Sequence, residues 1–152
     1  MSPSKVSQRI VLDRIAWVDR MLKEIRSLPI SDRAVFLAES RNVRAAESCL
    51  RWAIEALFDI GRHILARGFG RGEVEYREIA DGLGATGVLD PAESLLMRSL
   101  AGYRNRLVHF YHEVSAGELF EICSRQLDDL VRIRGAYHRW MGSHPGMLDT
   151  AL

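Results

Sequence analysis

Arg104-Asn105-Arg106-Leu107-Val108-His109-Phe110-Tyr111 sets a guanidinium, an imidazole and a phenol close together near the end of an apolar-striped segment. Those groups suit phosphodiester chemistry. Arginine grips phosphate through a planar fork of donors, and histidine is the side chain that ordinarily gives and takes protons near neutral pH. Arg139 and His144 repeat the spacing of Arg104 and His109, but His144 stands beside Pro145 in a tail with no neighbouring helix to hold it. The longer pattern, with Asn after the Arg and Tyr two residues after the His, is what distinguishes Arg104, Asn105, His109 and Tyr111.

Helix geometry constrains how these groups act. At about 100° per residue, Arg104 and His109 project roughly 140° apart on one straight helix, whereas Arg104 and Tyr111 nearly coincide. Either the helix ends at His109, or a second copy of the chain brings its own helix alongside so that four groups converge. Asn105, His109 and His112 share a polar face with Arg98 and Gly102, where a missing side chain permits close approach. The plainer alternative is structural: Arg104 pairs with a carboxylate such as Asp59, His109 is an interhelical histidine, and Tyr111 is half-buried packing. Leu107, Val108 and Phe110 read as core.

The elements that must position this segment follow from apolar periodicity. Val11, Ile15, Val18, Leu22 and Ile25 recur at helical spacing, with Ile10, Trp17, Met21 and Leu28 widening the stripe, so a first helix runs from about Lys5 to Leu28 and stops at Pro29. Ser31 or Asp32 caps a second, carrying Ala46, Leu50, Ala53, Leu57, Ile60 and Ile64 as far as Gly68, with a break near Ser40 to Asn42. Six glycines between Gly68 and Asp90 indicate a loop with a short helix around Tyr76 to Leu83, the expected mobile part. Asp90-Pro91 opens the motif helix, striped by Leu96, Leu100, Tyr103, Leu107 and Phe110. Ser115 and Glu118 have capping-box spacing, Val114 and Leu119 are placed as a staple, and the last helix extends from about Ala116 to Met141, packed antiparallel to the motif helix. Residues 142–152 read as a flexible tail. The expectation is a single all-α domain over 1–152, an antiparallel four-to-five-helix bundle.

Composition narrows the function classes. With 152 residues, 47% of them hydrophobic, the chain can bury one core, and a net charge of +1 gives no global basic field, so any nucleic-acid binding is local. Arginine outnumbers lysine by 19 to 2. Cys49 and Cys123 lie in apolar helical patterns without ligand spacing and read as reduced core thiols, as expected of a cytoplasmic protein. No apolar run approaches membrane-spanning length, and Met1 to Lys5 lack a signal core. Glu55, Asp59, Arg62 and His63 form a polar stripe on the second helix, read first as an intrahelical salt-bridge run and otherwise as placing Asp59 behind the motif Arg or His to orient it. No metal-ligand spacing accompanies it. Gly68-Phe69-Gly70-Arg71-Gly72 lacks the Lys-Ser/Thr continuation of a phosphate loop.

The Arg-Asn-Arg-Leu-Val-His-Phe-Tyr segment resembles the Arg-x4-His-x-Tyr signature of HepT-like ribonuclease toxins, a branch of the HEPN superfamily. Arg44 to His63 is similar to that family's second helix, and Tyr76 to Leu89 with Leu96 to Gly102 is similar to its lead into the motif. The resemblance implies a homodimer whose motif helices meet at a two-fold axis, and a metal-independent endoribonuclease site requiring no cofactor. Arg104 would hold the scissile phosphate of the RNA, His109 would shuttle protons, and Asn105 would position either. Tyr111 would be the residue that a partner nucleotidyltransferase antitoxin adenylylates. The broader superfamily spacing also admits Arg106 with His112, without the following tyrosine. Phe110 departs from the acidic or polar residue of many relatives. The alternatives are a non-catalytic bundle that docks on a nucleotidyltransferase, or its nucleotide-binding accessory subunit.

Overall fold

The computed structural model describes residues 4–151, so Met1 to Pro3 of the polar N-terminus and Leu152 of the tail lie outside it. The chain folds as seven α-helices among the described residues: α1 (Gln8–Arg26), α2 (Arg33–Ala38), α3 (Ser40–Phe69), α4 (Tyr76–Ala85), α5 (Pro91–His109), α6 (Ala116–Arg125) and α7 (Leu127–Ser143). The all-α expectation holds, but with more and shorter helices. Asp32 caps α2, as its spacing predicts, by accepting from the Val35 N–H, and extended backbone at Glu39 then separates α2 from α3. The break at Gln126, which divides the expected last helix into α6 and α7, carries no glycine or proline.

The 30-residue α3 is the axle of the bundle, with α1, α4, α5, α6 and α7 all packed on it. Its buried residues occur at helical spacing all along its length, including Ala46, Leu50, Ala53, Leu57, Ile60 and Ile64. Close approach at one point depends on Gly61. A Cβ there would lie 2.7 Å from Leu83 Cδ1 on α4 and 2.9 Å from the Tyr137 hydroxyl on α7. That hydroxyl is itself fixed, fully buried and donating to the Leu57 carbonyl at 2.8 Å. Gly61→Ala is therefore expected to destabilise the fold by about 1–3 kcal/mol through overpacking, measured by denaturant unfolding.

Three expectations fail for tertiary reasons. Trp17 and Ile10, assigned to the stripe of α1, are 36% and 39% exposed, because Val11, Ile15, Val18, Met21 and Leu22 already fill the seam with α3. The glycine-rich segment is not loosely attached: Ile79, Ala80 and Leu83 are fully buried, Ser94 on α5 donates to the Ala80 carbonyl, and Arg98 Nη1 donates to both carboxylate oxygens of Asp81, at 2.6 and 2.8 Å. The segment from Gly142 is tied down as well. Leu148–Asp149 (β2) pairs in parallel with Val6–Ser7 (β1), with Val6 opposite Leu148, and the Ser7 N–H donates to His63 Nε2 on α3 at 3.0 Å. Burial, and then the charges of Arg67 and Arg14, lower the His63 pKa, consistent with a neutral ring accepting that bond.

Asp90 and Glu93 form the reciprocal capping box that starts α5. Glu93 is almost wholly buried and also receives the Arg139 fork from α7 at 2.6 and 2.9 Å. This arrangement also accounts for the repeated Arg-x4-His spacing: Arg139 is engaged with Glu93, and the His144 ring stacks on Trp140 at 5.1 Å. The Arg139 hydrogen bonds, against the opposing effect of burial and with help from the Asp90 backbone and the charges of Arg139 and Arg132, hold the Glu93 carboxyl below its ordinary 4.5. A depressed carboxylate pKa stabilises the fold fully above the unfolded value, and that stability is lost as pH falls through the folded value. Glu93→Gln is accordingly expected to flatten the loss of stability below pH 4.5 in acid-unfolding curves.

Candidate active site at the end of the motif helix

α5 stops at His109. Phe110, at φ −128° and ψ 38°, leaves the helix while its N–H still donates to the Arg106 carbonyl, and Tyr111–Glu113 then form a single 3-10 turn. Arg104 and His109 are both still helical and keep their divergence of roughly 140° within one chain, so the break moves only Tyr111 off the helix. His109 is exposed, and among the described residues its side chain has no hydrogen-bond partner. Tyr111 is 65% exposed and its ring meets that of His112 edge-on at 5.9 Å. Phe110, expected in the core, is 49% exposed, because the apolar stripe of α5 ends with Leu107. Val108 is only half-buried, so it too falls short of the core expected of it.

Arg104 sits inside the site's wall. Its side chain is 19% exposed; Nε donates to Glu55 Oε1 at 2.6 Å, and the guanidinium lies 4.1 Å over the ring of Tyr76. Tyr76 closes the cluster by donating its hydroxyl to Glu55 Oε2 at 2.5 Å. Helices α3, α4 and α5 thus each contribute one member. Burial opposes the charge on Arg104, but the hydrogen bond and charge of Glu55, helped by Tyr76, more than offset it and raise its pKa. Burial and then the Glu55 hydrogen bond raise that of the Tyr76 phenol, so it stays protonated. The outer edge of the fork is less committed: Nη1 reaches only Asn105 Oδ1, at 3.4 Å, and Nη2 has no hydrogen-bond partner among the described residues. A cation anchored through Nε with its Nη edge uncommitted has donors left to offer an oxyanion.

Glu55 and Tyr76 hold Arg104, a contact that the sequence does not lead one to expect of either. The polar stripe of α3 does supply the carboxylate, but Asp59, the member expected to do so, lies one turn further on and pairs with Arg62 at 3.2 Å and Arg14 at 3.9 Å. Burial, opposed by Arg62 and Arg14, raises the Asp59 pKa. Tyr76 carried no signal beyond opening a short helix. Arg106, of the second-ranked pair, forks onto Glu118 at 2.6 and 2.9 Å, and His112 sits apart from it on the 3-10 turn. Glu118 is therefore unavailable for its half of the expected capping box, and Ser115 alone caps α6. The structure brings Arg104 and Asn105 together, and leaves His109, Tyr111 and His112 exposed on the adjoining turn.

Cys49 and Cys123 are both buried free thiols. Burial and the nearby Glu24 carboxylate push Cys49 to about 11, and burial pushes Cys123 to about 12, so neither is a ready nucleophile. Among the described residues no three His, Cys, Asp or Glu side chains are grouped to hold a metal ion, and no helix is long and apolar enough to cross a membrane.

The family model described as "Ribonuclease HepT-like" matches residues 18–135 of this sequence. A comparison with curated proteins finds no match. Among solved structures, a tri-AMPylated Shewanella oneidensis HEPN toxin in complex with MNT antitoxin superposes with a TM-score of 0.76 at 21% identity, covering 86% of this chain and 97% of that one. A toxin-antitoxin with AMP-PNP gives 0.75 at 20% identity, covering 84% and 97%. The cytosolic protein YutE from Bacillus subtilis gives 0.77 at 20% identity, covering 93% and 96%. At these identities the superpositions establish a common fold.

Proposed function

Because this chain belongs to the HepT-like ribonuclease family, we propose that it is a metal-independent endoribonuclease toxin, acting on cytoplasmic RNA through a site completed by a second copy of the chain. The observation that carries the reading is the state of Arg104: its Nε is fixed by Glu55 and its face by Tyr76, its Nη edge is uncommitted, and the chain breaks out of the helix at His109 a few residues on. Two such helix ends across a two-fold axis would surround one phosphodiester with two guanidinium and two imidazole groups.

In that site the Arg104 fork binds the scissile phosphate and neutralises charge as the pentacoordinate phosphorus forms. The ribose 2′-oxygen attacks phosphorus as His109 accepts its proton, the bond to the 5′-oxygen breaks, and a protonated imidazole, His109 of the other copy, gives that oxygen a proton. The products are a 2′,3′-cyclic phosphate and a free 5′-hydroxyl. Asn105, in contact with Arg104, keeps the fork aimed. Incubating the purified protein with single-stranded RNA in excess chelator tests this directly. Cleavage with cyclic-phosphate ends is expected, whereas intact RNA, or cleavage only after metal is restored, refutes the chemistry.

The exposure of Tyr111 supports a second element, silencing by a nucleotidyltransferase antitoxin. The Tyr111 oxygen attacks the α-phosphate of ATP, pyrophosphate leaves, and the bulky anionic adduct beside His109 excludes RNA by charge and volume. Tyr111→Phe is expected to cleave RNA at close to the wild-type rate yet gain no adenylyl mass and remain active when the partner and ATP are added, as read by intact-mass spectrometry and a cleavage assay. Bare docking without modification predicts instead that both forms are silenced equally and without mass change.

A further inference from the structure

The back of the Arg104 anchor opens onto a groove between α1 and α3, about 530 Å³ in volume, whose walls carry two of the chain's three tryptophans. The rings of Trp17 and Trp52 lie 6.0 Å apart at 37°, forming a tilted aromatic ledge, and both are substantially exposed. Arg20 covers the Trp17 ring at 5.5 Å and has no carboxylate partner among the described residues. The lining also carries acceptors, Asp13, Glu55 and Asp59, and donors, Arg14 and Arg20, with Arg14 paired to Asp13 at 2.6 Å and 3.9 Å from Asp59.

That mixture is selective about what it can hold. A track for a phosphate backbone is uniformly basic, and a cradle for an apolar helix or a packed subunit core is depleted in charge. Flat aromatic faces bordered by both donors and acceptors match a nucleobase, which offers a π-face to stack and an edge that both gives and accepts hydrogen bonds. Glu55 links this groove to the cleavage site. It lines the groove, and its two carboxylate oxygens hold the Arg104 guanidinium and the Tyr76 hydroxyl. Glu55 is thus the one side chain shared by the groove and the Arg104 anchor.

Building on the ribonuclease reading, we propose that the Trp17–Trp52 groove is a base-binding subsite, in which an unpaired base of single-stranded RNA, beyond the two nucleosides that flank the scissile phosphate, stacks on the indoles beneath Arg20. The substrate is consequently single-stranded at that position, since a base held in a duplex cannot present its face to the ledge. The subsite gives the enzyme a preference for longer strands over dinucleotides, because only the former reach it.

The test compares wild type, Trp17→Ala/Trp52→Ala and Trp17→Phe/Trp52→Phe, each on a dinucleotide and on a short single-stranded oligoribonucleotide, with tryptophan quenching by the oligomer measured in parallel on a cleavage-dead His109→Ala background. The alanine pair is expected to cut the dinucleotide as wild type does, to lose roughly 5- to 150-fold in oligomer affinity, and to lose the quenching. The phenylalanine pair, which keeps stacking, is expected to recover most of the oligomer affinity. Unchanged oligomer affinity in the alanine pair overturns the subsite. So does an equal loss on both substrates accompanied by dissociation to monomers in sedimentation, which assigns the groove to subunit contact. If wild type cleaves neither RNA but the oligomer quenches its tryptophans and the alanine pair binds an end-labelled oligomer more weakly, the subsite stands and the catalytic reading fails; absence of quenching removes the subsite whatever the activity.

Discussion

Replacing His109 with alanine is expected to lower RNA cleavage by about 10²–10⁴-fold, the usual contribution of a positioned proton-transfer group, while leaving thermal stability close to wild type. The second half of that expectation comes from the structure: His109 is the last helical residue of α5, is exposed, and makes no side-chain hydrogen bond among the described residues, so its removal leaves no cavity and no orphaned partner. Growth and RNA integrity after induced expression give the cellular readout, with rapid arrest by wild type and near-normal growth with the variant. Equal toxicity of the two would eliminate His109 from the chemistry, and Arg106 with His112 would then have to be reconsidered despite the occupation of Arg106 by Glu118.

Arg104 carries the second large effect, of a different kind. Arg104→Ala is expected to reduce cleavage by about 10²–10³-fold, as when a preorganised donor to developing charge is lost. It is also expected to reduce stability, because it strips the partner from Glu55 and the cation from the face of Tyr76. Arg104→Lys keeps the charge but cannot hold Glu55 through Nε while presenting two further donors outward, so activity stays low despite the preserved charge. Glu55→Gln separates anchoring from chemistry. The amide can still accept from Nε but no longer as a charged partner, and the expected result is a looser Arg104 with a fall in kcat larger than the rise in KM. If Arg104→Ala and Glu55→Gln leave both constants unchanged, the guanidinium is structural and the phosphate lies elsewhere.

How much of this was legible from the chain alone depends on the range of the interaction concerned. The start of α5 was readable because Asp90, Pro91 and Glu93 act on one another within a single turn. The same motif at Ser115 was realised only by half, since Glu118 is claimed by Arg106 from another helix, a competitor that local spacing cannot reveal. Trp17 and Phe110 were misassigned for related reasons. Apolar periodicity ranks faces without showing where a neighbouring helix ends its contact, and a stripe extended past the last helical residue predicts burial that does not occur.

For the site itself, the types and spacing of Arg104, Asn105, His109 and Tyr111 follow from the order of residues, and the all-helical fold follows from apolar periodicity and caps. Which carboxylate meets Arg104 does not. Glu55 and Asp59 stand one turn apart on the same stripe of α3, and only the axial offset between α3 and α5, fixed by the side chains packed between them, selects the first over the second. The Trp17–Trp52 groove arises in the same way, from residues 35 positions apart that no local rule connects, brought together because α1 lies along α3.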